Sequence, residues 1–65
     1  MIKVIYKDGT IDEFSSANDW GYNDNNEDFI DIIIRKFDKE GNYDEDEDTT
    51  IAWITLSEIR KIEKC

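Results

Sequence analysis

The chain has no histidine and no proline, one leucine, one cysteine at its last position, and glycine only at positions 9, 21 and 41. Without histidine it lacks the commonest zinc ligand and the side chain that ordinarily does acid–base work near neutral pH. With Cys65 alone, no disulfide can close within the chain. No apolar run approaches the roughly 20 residues needed to cross a bilayer, and the first residues carry no signal-peptide apolar core. These absences are read as those of a cytoplasmic protein kept reduced. Positive charge is scarce as well, with eight Lys and Arg against 17 Asp and Glu and a net charge of −9. Affinity for phosphate comes from clustered Lys and Arg, so direct nucleic-acid binding is not expected. Lys3, Lys7, Arg60, Lys61 and Lys64 read as counter-ions to the acids.

Catalysis and metal binding are not expected either. Paired carboxylates do acid–base work when burial or a neighbour splits their pKa values, and here the acids sit in polar, solvated runs without a nucleophile. The segment Asp24-Asn25-Asn26-Glu27-Asp28 opens like an EF-hand loop. That loop requires glycine at its sixth position and glutamate at its twelfth, where this chain has Phe29 and Arg35. In Asp38-Lys39-Glu40-Gly41-Asn42 the glycine comes two places early. No cofactor or metal is therefore expected.

What is present favours strands. Eleven residues are isoleucine, with three Phe, three Tyr and two Trp, and β-branched and aromatic side chains suit a pleated, half-buried surface. Sixty-five residues make one domain, residues 1–65, below the roughly 70–80 residues at which a single core supplies more than about 3–5 kcal/mol. Ile2–Lys7 and Thr10–Phe14 flank Asp8-Gly9, a hairpin signal. A two-residue turn would set Val4 opposite Glu13. A three-residue loop with Gly9 as the bulge residue pairs Ile5 with Ile11, Lys3 with Glu13 and Ile2 with Phe14, and is preferred. Ser15–Asp28 reads as loop around a short irregular strand at Trp20-Gly21-Tyr22. Phe29–Phe37 is the central strand, with Ile30, Ile32 and Ile34 on one face and Phe29, Ile33 and Phe37 on the other; such a strand sits mid-sheet or in a small barrel. A turn at Asp38–Gly41 pairs Lys36 with Asp44 and Arg35 with Glu45, but continued it would set Ile34 opposite Asp46. The acidic run is therefore expected to leave the ladder as an extended loop or edge, with the strand restarting at Thr49–Leu56 and Trp53 in the core. The end of the chain reads as a capped helical stub over Ser57–Glu63, or, preferably, as a 3₁₀ turn at Ser57–Ile59 followed by a strand at Arg60–Lys64.

This order of elements, carried by VIYKDGTIDEF and IAWITLSEIRKIE, resembles the SH3-like and Sm-like small barrels. It implies an all-β, five-stranded, antiparallel, partly open barrel.

Charge is the sequence's other signature. Asp8–Asp48 carries −12, from 15 acids and three bases, and Asp44 to Asp48 are five consecutive carboxylates. A charge run of this kind can serve only as a solubility device for an isoleucine-rich sheet. It can also imitate a polyanion. An extended chain advances about 3.3 Å per residue, against about 3.4 Å per charge along one DNA strand. Asp24, Glu27 and Asp28 form a second cluster, and Trp20, Tyr22 and Tyr43 lie in or beside these segments as candidate interface anchors. In size, acidity, lack of histidine and its DEDED run the chain resembles the small acidic inhibitors that phages encode: anti-CRISPR proteins, restriction inhibitors and the uracil-DNA glycosylase inhibitor. That resemblance implies a non-enzymatic DNA mimic that blocks the basic, nucleic-acid-binding surface of a partner protein, with Asp44, Glu45, Asp46, Glu47 and Asp48 supplying the field. The alternative expectation is an assembly module that self-associates through a sheet edge.

Overall fold

A computed structural model of the chain describes the backbone of residues 1–65 and every side chain except those of Glu45 and Asp46. The strands in chain order are β1 Ile2–Tyr6, β2 Ile11–Phe14, β3 Asp19–Tyr22, β4 Phe29–Phe37, β5 Tyr43–Thr55 and β6 Ile59–Lys64, with a 3₁₀ turn at Leu56–Glu58 between the last two. They form two antiparallel sheets, in the orders β2-β1-β6 and β3-β4-β5. The all-β class holds, but the five-stranded SH3-like barrel does not: there are six strands, and the described ladders close no barrel. Trp20-Gly21-Tyr22 belongs to a full strand that makes four register pairs with β4.

The first hairpin takes the register that matches charge and apolarity, Lys3 opposite Glu13 and Ile5 opposite Ile11. Its three-residue loop is closed by the Tyr6 N–H on the Thr10 carbonyl at 2.9 Å and the Gly9 N–H on the Tyr6 carbonyl at 3.0 Å. Gly9 sits at φ +91°, in the left-handed region that costs glycine no steric strain. At the other end of the chain the 3₁₀ turn starts one residue earlier than expected. Ile59 is already extended, at φ −90° and ψ 130°, so the helical stub does not form and β6 pairs along β1.

β4 lies in the middle of its sheet, as its two apolar faces require. One face is covered: Ile30 and Ile32 are fully buried against Ile2, Val4, Ala17 and Ile54, with Trp20, Phe14, Ala52, Ile59 and Ile62 packed around them. The other face carries Phe29, Asp31, Ile33, Arg35 and Phe37, none of which is buried. Trp53 pairs with Asp31 on that open face and is 67% exposed. Its expected place in the core is thus corrected. Alternation along Ile51–Ile54 puts Ala52 and Ile54 inward, opposite Ile32 and Ile30, and turns the larger indole outward. The result is a thin slab, its Cα atoms spanning 41 × 26 × 13 Å.

A core this small leaves little margin. Ile32→Val is expected to cost about 1 kcal/mol and Ile32→Ala about 2–5 kcal/mol, the latter comparable to the whole stability available to such a domain. Urea denaturation followed by circular dichroism should show a lowered midpoint for the first and a largely unfolded chain for the second. Near-native stability of Ile32→Ala would mean that these six residues are not the core.

Candidate protein-binding surface

The β4–β5 hairpin turns through Asp38–Asn42. The Asp38 N–H donates to the Asn42 carbonyl at 2.8 Å, and Asp38 Oδ1 accepts the N–H groups of Glu40 at 2.9 Å and Asn42 at 2.8 Å. Those bonds, the Asn42 N–H first, hold the Asp38 carboxyl below its ordinary pKa. Beyond the turn Tyr43 pairs with Phe37 and Asp44 with Lys36, whereas the next ladder pair is Thr49 with Ile34. Between these two pairs the register shifts, two steps along β4 spanning five along β5. The acidic run lies at this bulge or irregularity inside the edge strand β5, rather than in a loop before it. A second irregularity leaves Ile51 unpaired between Thr50 and Ala52.

Arg35 anchors the base of this bulge. Its Nε donates to Asp19 Oδ2 and its Nη1 donates to the Tyr43 hydroxyl and, at 3.2 Å, to Asp48 Oδ2. The guanidinium lies 5.2 Å from the centre of the Tyr43 ring, and the Tyr43 hydroxyl in turn donates to Asp48. Asp48 Oδ1 also accepts the Lys36 N–H at 3.4 Å. From the far edge, Asn18 copies a strand peptide: its Nδ2 donates to the Arg35 carbonyl at 2.9 Å and its Oδ1 accepts the Arg35 N–H at 2.8 Å. Lys64 reaches across from the other sheet to Asp19 at 3.3 Å. Burial alone would raise the Asp19 carboxyl, but the Trp20 N–H, Arg35 and Lys64 together hold it below its ordinary value. The bond to Asp48, with partial burial, raises the Tyr43 hydroxyl despite the opposing pull of Arg35.

The expected partner-binding residues fall into two groups that this fold separates. Asp44 sits opposite Lys36, Glu47 is exposed, and Asp48 is turned onto Arg35. The side chains of Glu45 and Asp46 lie outside the described residues. Asp24, Glu27 and Asp28 are exposed on the β3–β4 connection, which Asn23 and Asn26 shape by accepting the N–H groups of Asn25, Asn26 and Asp28. This connection meets the opposite end of β4, about 25 Å from Lys36 at the usual rise of a strand. The two clusters do not form adjacent lines. Of the aromatics, Trp20 packs against the core and meets Tyr22 edge-on at 5.6 Å. Tyr22 is exposed, and Tyr43 is half-exposed and held in the Arg35 group.

Asp19, Asn18 and Arg35 were not singled out by sequence reasoning, although Arg35 is the first base after a stretch of eight acids without one. Several of the bases do pair with acids: Lys3 with Glu13 at 3.9 Å, Lys61 with Glu63 at 3.2 Å and Lys64 with Asp19. Comparison with protein-family models, with curated proteins and with solved structures finds no match to this chain.

Arg35→Met should leave Asp19 with Lys64 and the Trp20 N–H, and Asp48 with the Tyr43 hydroxyl and the Lys36 N–H, and cost about 2 kcal/mol for the lost charged hydrogen bonds, with Arg35→Lys recovering only part because an ammonium lacks the planar fork. Because the Asp19 carboxyl is lowered in the fold, its contribution is present above the ordinary carboxylate value of about 4 and fades as pH falls through the lowered one. Thermal melts of the parent and of Asp19→Asn across acid pH should converge as pH drops. Parallel curves would mean that Asp19 is not held by this network.

Proposed function

We propose that this protein is a non-catalytic, acidic binding protein that docks its β4–β5 hairpin onto the basic surface of a protein that handles nucleic acid, and blocks that surface competitively. The observation that supports this reading is the clamped bulge. One carboxylate, Asp48, is held by Arg35 and Tyr43 at the base, and Asp44 is held in register at the top. Between them the register of the edge strand β5 shifts, at a place where an acidic run can meet a partner. A large one-signed field raises association rates with an oppositely charged cleft by about 10–10³-fold, and clamping the run removes part of the ordering entropy that a free tail would lose on binding. The resemblance to small phage-encoded inhibitors, anti-CRISPR proteins among them, belongs with this reading, and DNA mimicry is its most specific form. The same bulge and charge guard the β5 edge against pairing with another strand, which disfavours edge-to-edge assembly.

The test is a variant with Asp44→Asn, Glu45→Gln, Asp46→Asn and Glu47→Gln, keeping Asp48 on Arg35. Protamine, an arginine-rich DNA-binding protein, serves as the probe, with release of labelled duplex DNA as the readout. The parent should displace DNA at about 50 mM salt and weaken steeply by about 500 mM, and the variant's association rate should fall by about tenfold or more. Equal displacement by parent and variant would overturn the proposal.

A further inference from the structure

The open face of β4 carries a second feature that the acidic hairpin does not explain. Trp53 and Asp31 are direct cross-strand partners, and Gly21 is Asp31's partner on the other side. Side chains so paired share a face, with Cβ atoms about 4.5–5.5 Å apart. The carboxylate therefore stands beside an indole wall on one flank and an empty flank on the other. A Cβ added at Gly21 would meet only the Ile33 Cδ1, at 3.8 Å. Asn23 Nδ2 donates to Asp31 Oδ1 at 2.9 Å and fixes the carboxylate. Asn23, Phe29 and Trp53 line a cleft of about 260 Å³, joined to Asp31 through the Asn23 bond and the Trp53 pairing.

We propose that this cleft receives an arginine side chain from a cationic protein segment, with the guanidinium lying over the Trp53 indole and pairing with the Asp31 carboxylate. The inference rests on the reading above that the partner's surface is basic, and it names how that surface is gripped. Charge selects the occupant. Among the described residues no Lys or Arg lies within ion-pair distance of Asp31, and the neighbouring connection adds the exposed Asp24, Glu27 and Asp28. An apolar partner would bury a carboxylate that has the Asn23 amide but no cation beside it, which is strongly unfavourable. A second copy would bring another −9 of net charge to this face. A guanidinium suits both the aromatic lining and the adjoining Asp31, since it stacks on aromatic rings and meets a carboxylate with two parallel donors. Trp is also the best aromatic face for a cation. Lysine offers only a point charge.

The experiment is a titration of the full chain with a capped hexa-arginine peptide, followed by ¹H–¹⁵N spectra in which the two indole signals are assigned through Trp53→Phe. The Trp53 indole and the amides of Phe29 and Asp31 should move and the Trp20 indole should not, and hexa-lysine should move Trp53 less. Trp53→Ala should weaken hexa-arginine binding about two- to fivefold, as for a cation on an exposed ring. Gly21→Val, which keeps every charge and the indole but fills the open flank, should weaken it comparably with an otherwise native spectrum. Movement confined to residues 44–48 with Trp53 stationary overturns this proposal and leaves the hairpin reading standing. Equal responses to the two peptides overturn the guanidinium assignment. A Trp53 signal that shifts on dilution without peptide assigns the face to a second copy and overturns the proposal, and no binding at low salt overturns both readings.

Discussion

One guanidinium organises the second sheet. Arg35 follows a stretch of the chain that contains eight acids and no base, and it draws a carboxylate from each side: Asp19 from the β3 edge and Asp48 from the β5 bulge. The three side chains are each only about a quarter exposed, so solvent screens these contacts less than it screens a surface pair. Asn18 grips the same residue's backbone through both its amide groups. This cluster sits where β3 begins and where the register of β5 shifts, and, through Lys64, ties the second sheet to the first. Without it the acidic run would have no reason to bulge at one place rather than another.

The rest of the fold is a compromise between too little core and too much charge. Ile30 and Ile32 are covered and the opposite face of the same strand is not, so the slab keeps a wetted row of Phe29, Ile33 and Phe37, flanked by Trp53. Such a face is ordinarily an association hazard. A net charge of −9 opposes the approach of a second copy to this face, and Asp31 stands in the middle of the row. In the proposed docking the same two features attract a partner that brings cations.

Most of the strand order can be read from the residues, and the reasons are local. The first hairpin has one register that avoids setting Val4 against Glu13, and the chain takes it. Phe29–Phe37 reads as a central strand because both its faces are apolar, and the alternation after Thr49 and the turn at Leu56–Glu58 are equally plain. The bulge's anchor is not readable, because Asp48, Arg35 and Asn18 are separated by more than ten residues and meet only after the sheet has formed. Trp53 was misplaced by size: large apolar side chains are expected inside. The signal that corrects it was present, since Asp31 shares its parity with Phe29 and Ile33 and marks that face as the wet one. Any antiparallel partner set against Asp31 must then face water too. What remained out of reach is the spacing of the two acidic clusters, which depends on their attachment to opposite ends of β4.

The bulge and the Trp53 cleft lie along one face of β4, from Arg35 back to Asp31 and Phe29, and they suit different stages of one encounter. Coulombic attraction acts over about a Debye length, near 8 Å at physiological ionic strength, and does not demand a unique orientation. An indole beside a fixed carboxylate acts only at contact and demands one. A line of acids alone would hold any polycation loosely and release it as salt rises. A cleft alone would recognise well but meet its partner slowly, at the ordinary rates of oriented docking. In the proposed docking, with Asp48 held by Arg35 at one end and Trp53 set opposite Asp31 at the other, the charge draws a basic surface in and the cleft decides which part of it stays.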